Sequence, residues 1–252
     1  SKRKVKELTD GVAKDENRIA ALRSKIETLD DIAKRHEGFT SAVQSVLSKA
    51  LESGTGLTGI AGVLADIVKV ERGYEEAVSA LLGPDAQVII AETDLDVDRA
   101  IEHLKSNKLG KATFVSLETL RRINSVKKDV VGTGKDLRPI REFVRTEDRY
   151  GAVLDHFFAD AYLCESEDSI KGRSASGSEI LVTKSGLIYD NGRISGGSES
   201  DADESLLIGR AEKLMYLCSD LKLLENDAAT LKEESLKESD KSKSLESEMS
   251  AL

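Results

Sequence analysis

Gly186-Leu187-Ile188-Tyr189-Asp190-Asn191-Gly192-Arg193-Ile194-Ser195-Gly196-Gly197 is the stretch from which the rest of the chain can be read. Two short runs with strand character, Leu187–Asp190 and Arg193–Ser195, flank Asn191-Gly192. Asn-Gly is the favoured type I′ hairpin turn, because both central residues must take positive φ. The segment therefore predicts a β-hairpin that leaves through a glycine pair.

Beyond the glycines the periodicity changes from two to seven. Leu217, Leu224, Leu231, Leu245 and Leu252 form one row, interrupted by Glu238. Leu207, Leu214, Leu221, Ala228 and Met249 form another, interrupted by Ser235 and Ser242. That is a coiled-coil seam, and it predicts a helix from about residue 205 to 252. The other end of the chain behaves alike: Val5, Val12, Ile19, Ile26 and Ala33 repeat every seven residues. Leu8, Leu22 and Leu29 fill a second row that Asp15 and His36 break. Neither tract is stable alone in water. Residues 1–36 carry 10 basic and 7 acidic side chains and residues 198–252 carry 7 and 14, so the two suit each other as partners. Pairing within one chain requires them to run antiparallel.

Between the arms the pattern is α/β. Helices are expected at Phe39–Leu51, at Tyr74–Leu82 with a stop at Gly83-Pro84, and at Asp94–Asn107 with Asp94 as cap. Strands are expected at Val63–Val70, Gln87–Ala91, Lys111–Val115 and Ile180–Thr183. A helix or turn is expected near Glu118–Ile123, and further short elements at Ala152–Phe158 and Ala161–Cys164. Gly62-Val63-Leu64-Ala65-Asp66 and Gly151-Ala152-Val153-Leu154-Asp155 share the form G-x-x-x-D, an echo that fits two related half-domains. The predicted fold class is thus an α/β (mixed α+β) globular domain of two half-domains, flanked by an intramolecular antiparallel coiled coil. The boundaries are 1–37 for the first arm, 38–125 and 150–200 for the half-domains, 126–149 for a basic connection and 201–252 for the second arm.

The chain is 252 residues long, with a net charge of −9, 33% charged and 4% aromatic residues, and no Trp. The acidic total speaks against a simple basic nucleic-acid-binding domain, yet residues 105–149 hold 12 basic and 6 acidic groups. Such a patch can contact phosphate without reading sequence, and with so few aromatics it does not favour stacking on single strands. Lys127, Lys128, Arg141 and Arg145 are its candidates, with Arg193, Arg210 and Lys213 as an alternative set near the second arm. Cys164 and Cys218 form no CxxC pattern. No apolar run approaches the roughly 20 residues of a membrane span, and no signal-peptide core follows Ser1-Lys2-Arg3-Lys4. A reducing, cytoplasmic setting without membrane contact is expected.

Motifs for nucleotide chemistry fail on context. Gly54-x-Gly56-x-x-Gly59 matches a dinucleotide fingerprint, but a helix precedes it and a strand follows, the reverse of the required order. Gly132-Thr133-Gly134-Lys135 has Asp129 and Asp136 where a phosphate cradle needs Gly and Ser or Thr. Ile194-Ser195-Gly196-Gly197 is like the signature of ABC-type ATPases but leads into Ser198-Glu199-Ser200-Asp201 rather than a phosphate-binding helix. His36, His103 and His156 have no metal-ligand spacing, and no Ser/His/Asp or Cys/His set can be assembled. No cofactor is expected. A nucleotide-dependent α/β enzyme with coiled-coil assembly arms remains the alternative reading.

Coil, glycine-rich α/β domain and returning coil together resemble the hinge region of SMC (structural maintenance of chromosomes) proteins. Gly59–Val68 is similar to that family's opening loop and strand. Tyr74-Glu75-Glu76-Ala77-Val78 with Leu81-Leu82-Gly83 is similar to its next helix. Ala100-Ile101, Leu104-Lys105 and Gly110–Val115 resemble its following helix and strand, and Gly186–Gly197 its glycine-rich dimerisation segment. Leu206-Leu207, Arg210 and Glu212 resemble the return into the coil. The likeness is strongest to prokaryotic SMC proteins. It implies a doughnut-shaped homodimer with two interfaces at sheet edges, two half-domains per chain and non-specific DNA contact, single- or double-stranded. It implies a role in chromosome condensation and segregation without catalysis, the ATPase heads with their kleisin-type partners lying outside these residues. A nucleoid-associated cytoplasmic location follows, or a nuclear one in a eukaryote. Gly186, Ile188, Asn191, Gly192, Arg193, Ile194, Ser195, Gly196 and Gly197 are the implied interface.

Overall fold

The computed structural model describes residues 2–52, 54, 57–124, 137–166, 179–197 and 207–250. The chain divides into two compact units: Ser1–Lys34 with Ala211–Leu252, and Arg35–Arg210.

The first unit is a pair of helices, α1 (Lys2–Lys34) and, at the far end of the chain, α8 (Arg210–Ser250). Both seams follow the heptads. Val5, Leu8, Val12, Asp15, Ile19, Leu22, Ile26, Leu29 and Ala33 are buried or half-buried in α1, as are Leu214, Leu217, Leu221, Leu224, Ala228, Leu231, Ser235, Glu238 and Ser242 in α8. Three ion pairs fix direction and register: Lys4–Glu238 at 3.8 Å, Glu16–Lys232 at 3.1 Å and Arg23–Glu225 at 2.7 Å. One number rises as the other falls, so the arms are antiparallel, and the last two pairs lie seven residues apart on each helix. The two charged residues in the seam have partners: Asp15 faces Arg18 at 3.7 Å, and Glu238 takes the Lys4 pair.

Arg35–Arg210 carries two sheets of the same design. β1 (Ile60–Val63) pairs antiparallel with β3 (Ile89–Ala91), which runs parallel to β4 (Phe114–Ser116). α5 (Asp94–Ser106) makes the crossover between the parallel pair. In the second sheet β5 (Arg138–Pro139) pairs antiparallel with β7 (Ala161–Cys164), which runs parallel to β8 (Ile180–Thr183). That sheet continues through β9 (Ile188–Asp190) to β10 (Arg193–Ser195), in the order β10-β9-β8-β7-β5. The fold therefore repeats as antiparallel strand, then parallel pair.

The halves are interlocked. A short ribbon of β2 (Lys69–Val70) and β6 (Val144–Arg145) joins them by antiparallel pairing. α4 (Glu75–Leu82) of the first half packs on β8 of the second, and α6 (Leu117–Asn124) packs on α7 (Gly151–Phe157). One continuous core runs through both halves, from Val43 and Val46 of α2 (Ser41–Leu51) through Ile89 and Leu117 to Ile140, Val153 and Val182.

Several expectations need correction. Val63–Val70 is not one strand: β1 ends at Val63, α3 (Leu64–Ile67) makes one helical turn, and β2 follows. Leu64, Ala65, Ile67 and Val68 are all buried, and a short apolar run buried on every side carries no period to separate strand from helix. The cap of α5 is Thr93 rather than Asp94: its hydroxyl accepts from the Asp96 amide while the Asp96 carboxylate accepts from the Thr93 amide, a reciprocal capping box. α8 starts at Arg210, not 205, since Gly209 has φ +75° and Ile208 is buried in the globular core. The G-x-x-x-D echo is no structural repeat: Gly62 lies within β1, whereas Gly151 opens α7. Residues 137–149 do more than connect: Leu137, Ile140, Phe143 and Val144 are buried.

Candidate functional site

The hairpin read from the sequence forms the margin of the second sheet. Asn191 (φ +45°) and Gly192 (φ +82°) make the turn, and Arg193 bonds Asp190 across it at 3.2 Å. The register aligns Tyr162, Leu181, Tyr189 and Ile194 in one row across four strands. Tyr162 and Leu181 are buried, Tyr189 is half-buried and Ile194 is 58% exposed. An apolar row thus runs out of the interior to an uncovered end.

The two margins of this sheet differ. β5 ends in Pro139, which has no N–H to offer a further strand, one of the ordinary ways in which an edge is blunted. β10 has no such device, and among the described residues no strand lies on its outer side. The first sheet shows a similar contrast. β1 carries a register irregularity between Ile60 and Gly62, while β4 is the regular outer strand of the parallel pair.

The glycines of the segment are not equivalent. Gly186 has φ +74°, and a Cβ there would stand 3.3 Å from both Ala80 Cβ and Glu76 Cγ; it lets the β8–β9 turn press on α4. A Cβ at Gly196 would collide with Leu187 Cδ1, whereas at Gly192 and Gly197 it would meet open space. Ile188 packs against the main core, and Ser195 is exposed.

Beside the hairpin, four side chains form a stack that joins the halves. Lys184 Nζ lies 4.5 Å from the Tyr74 ring centroid, Tyr74 stacks on Phe143 at 4.0 Å, and Arg138 Cζ lies 4.4 Å beyond the Phe143 ring. Such cation–π contacts hold while each cation keeps its water.

Three of the five candidate phosphate contacts among the described residues are already engaged. Arg141 pairs with Asp155 at 3.3 Å and donates to the Val144 carbonyl. Arg193 holds Asp190. Arg210 is buried and donates from both terminal nitrogens to the Glu37 carbonyl, each at 3.2 Å, which withdraws it from the surface. Asp66, beside this group, is exposed at the surface, and partial desolvation by its neighbours pushes its carboxyl above the ordinary range, against the opposing pull of His36 and Arg210. Arg145 and Lys213 are exposed. Lys127 and Lys128 lie outside the described residues.

Gly59 belongs to packing. A Cβ there would fall inside the Asp96 carboxylate, which the α5 capping box holds over the loop. An acid therefore stands where a dinucleotide fingerprint would receive phosphate. Among the described residues no group of three or more His, Cys, Asp or Glu is arranged to hold a metal, and no helix is long and apolar enough to cross a membrane.

Residues 57–169 match the family described as SMC proteins Flexible Hinge Domain. Chromosome partition protein Smc of Halothermothrix orenii is 27% identical over 208 residues, 81% of this chain and 17% of that protein. The same protein of Bacillus subtilis is 26% identical over 225 residues, 86% of this chain and 18% of that protein. The chain thus spans less than a fifth of the length of these relatives. The fold is similar to that of an asymmetric dimer of the Geobacillus stearothermophilus SMC hinge domain, with a TM-score of 0.71 at 21% identity over 94% of this chain and 95% of that one. It is also similar to a Pyrococcus furiosus Smc hinge domain with an extended coiled coil, with a TM-score of 0.53 at 23% identity over 99% of this chain and 89% of that one.

Proposed function

We propose that this chain, whose residues 57–169 match the SMC hinge family, is the dimerisation module of a prokaryotic chromosome partition protein, joining two copies through their hinges and touching DNA without reading its sequence. The contrast between the sheet margins carries the reading. Each sheet has one blunted edge and one regular edge, and β10 ends an apolar row whose outermost member, Ile194, is 58% exposed. Main-chain pairing across that edge satisfies its N–H and C=O groups and buries Ile194.

β10 of one copy against β4 of the other gives two equal contacts about a twofold axis, with Arg193, Ile194, Ser195, Gly196 and Gly197 inside them. Asn191 and Gly192 set the hairpin's direction, Ile188 anchors it to the core, and Gly186 seats it on α4. The kleisin-type partners and the ATPase belong to parts of the protein beyond this chain, whose place is with the chromosome in the cytoplasm. This segment does no chemistry of its own.

Sedimentation equilibrium tests the dimer. The unaltered chain is expected to be dimeric at micromolar concentration, and Ile194→Lys combined with Ser195→Glu to be monomeric with an unchanged far-ultraviolet circular dichroism spectrum, its melting temperature falling only by what the lost association contributed. A monomeric parent chain refutes the reading.

A further inference from the structure

Lys69 and Arg145 stand directly opposite each other on the β2–β6 ribbon. Both side chains are exposed, while their neighbours Val70 and Val144 are buried beneath them. Like charges facing each other across a strand pair repel and weaken it. This ribbon has only two residue pairs to hold it, so the repulsion falls on the main-chain link between the two halves.

Several neighbouring cations of this unit are matched with acids. Arg138 holds Glu142, Arg141 holds Asp155, Arg149 holds Glu147 and Arg193 holds Asp190. Among the described residues, neither Lys69 nor Arg145 forms such a pair. Glu147, two residues beyond Arg145, is occupied by Arg149 at 3.0 Å, and Glu71, two residues beyond Lys69, bonds to neither. Two adjacent, unneutralised cations on a fixed backbone are complementary to an anion bearing several oxygens.

We infer that the Lys69–Arg145 pair is a phosphodiester-binding site, where the backbone of duplex DNA seats across the ribbon and neutralises a repulsion the fold otherwise carries. The inference rests on the DNA contact proposed above and joins Arg145, within residues 126–149, to Lys69, which lies outside them. Lys69 is remote in sequence from the basic stretch and becomes visible only through the strand register. Arg141, engaged with Asp155, makes the smaller contribution.

The test is fluorescence anisotropy of a labelled duplex oligonucleotide with the full chain across a salt series, alongside thermal melting. Replacing both residues by alanine is expected to weaken binding and to lower the slope of log affinity against log salt by about 1.8, roughly 0.9 for each lost phosphate contact. Lys49→Ala, on α2, is the control and should leave the slope unchanged. Lys69→Glu gives the sharper arm: it creates an opposite-charge pair, so the melting temperature should rise while DNA binding falls. Unaltered slope and affinity in the double variant overturn this site and leave DNA binding standing elsewhere. No duplex binding by the parent chain overturns the DNA reading itself. If inorganic phosphate raises the melting temperature as much as the duplex does, the site serves a free anion and the assignment is wrong.

Discussion

Replacing Gly59 by alanine tests whether the glycine-rich loop exists for packing. The new methyl would lie inside the Asp96 carboxylate, so Asp96 must rotate away. In doing so it loses the Thr93 amide at 3.2 Å and the Thr93 hydroxyl at 2.6 Å. It also leaves Arg99, a half-exposed partner at 3.4 Å whose contact adds little. Loss of such a cap costs about 0.5–2 kcal/mol. Gly59 is not in the left-handed region, so alanine adopts its backbone without strain and returns about 0.4–1 kcal/mol by restricting the unfolded chain. The single variant is therefore expected to lose about 1 kcal/mol. Asp96→Ala alone should lose about 1–2 kcal/mol, since the same cap is broken. On the Asp96→Ala background, however, Gly59→Ala has nothing left to displace and should be neutral or stabilising. Urea unfolding followed by tyrosine fluorescence suits the measurement, because the chain has no Trp and Tyr74, Tyr150, Tyr162 and Tyr189 all lie in the globular unit. Strictly additive losses in the double variant refute the reasoning, because they would mean the methyl and the carboxylate do not compete for one place.

Two further outcomes are expected. Asp66→Asn should stabilise the globular unit slightly at neutral pH, the side chain being exposed: a carboxyl raised on folding favours the protonated state, so the native form loses stability as pH climbs from the unfolded value through the folded one. Below the carboxylate range the two proteins should melt alike; a gain independent of pH contradicts the desolvation of Asp66. In the arms, reversing Arg23 to Glu should cost about 0.5–1 kcal/mol against Glu225, and adding Glu225→Arg should recover it in a double-mutant cycle on the helical signal. Absence of coupling would deny the antiparallel register.

The arms and the hairpin were legible because both depend on local rules. A heptad names its own buried face, and Asn191-Gly192 names its turn. Even Asp15 and Glu238, which interrupt the rows, keep their seam positions by finding Arg18 and Lys4. The α5 box is also written in the sequence, since Thr93-x-x-Asp96 is its spacing, but the adjacent Asp94 is an equally good cap by residue type. Leu64–Val68 was illegible for a physical reason: burial on all sides erases the pattern that distinguishes a helical turn from a strand. Charge counting along the chain likewise could not show that Arg141 and Arg210 are engaged internally, or that Lys69 meets Arg145. Charge neutralisation depends on which side chains the fold brings face to face.

The Lys184–Tyr74–Phe143–Arg138 stack bears on what ionic strength can dissolve. Its attraction arises between ring surfaces and cations a few ångströms away, at a range where mobile ions enter poorly, whereas contacts with a nucleic-acid backbone are lost as counterions return. The two halves should therefore stay joined across salt concentrations that would strip the proposed DNA from the surface. Salt would then release a bound nucleic acid from an intact globular unit, and a change in that unit's structure during such a titration would have to come from somewhere other than this stack.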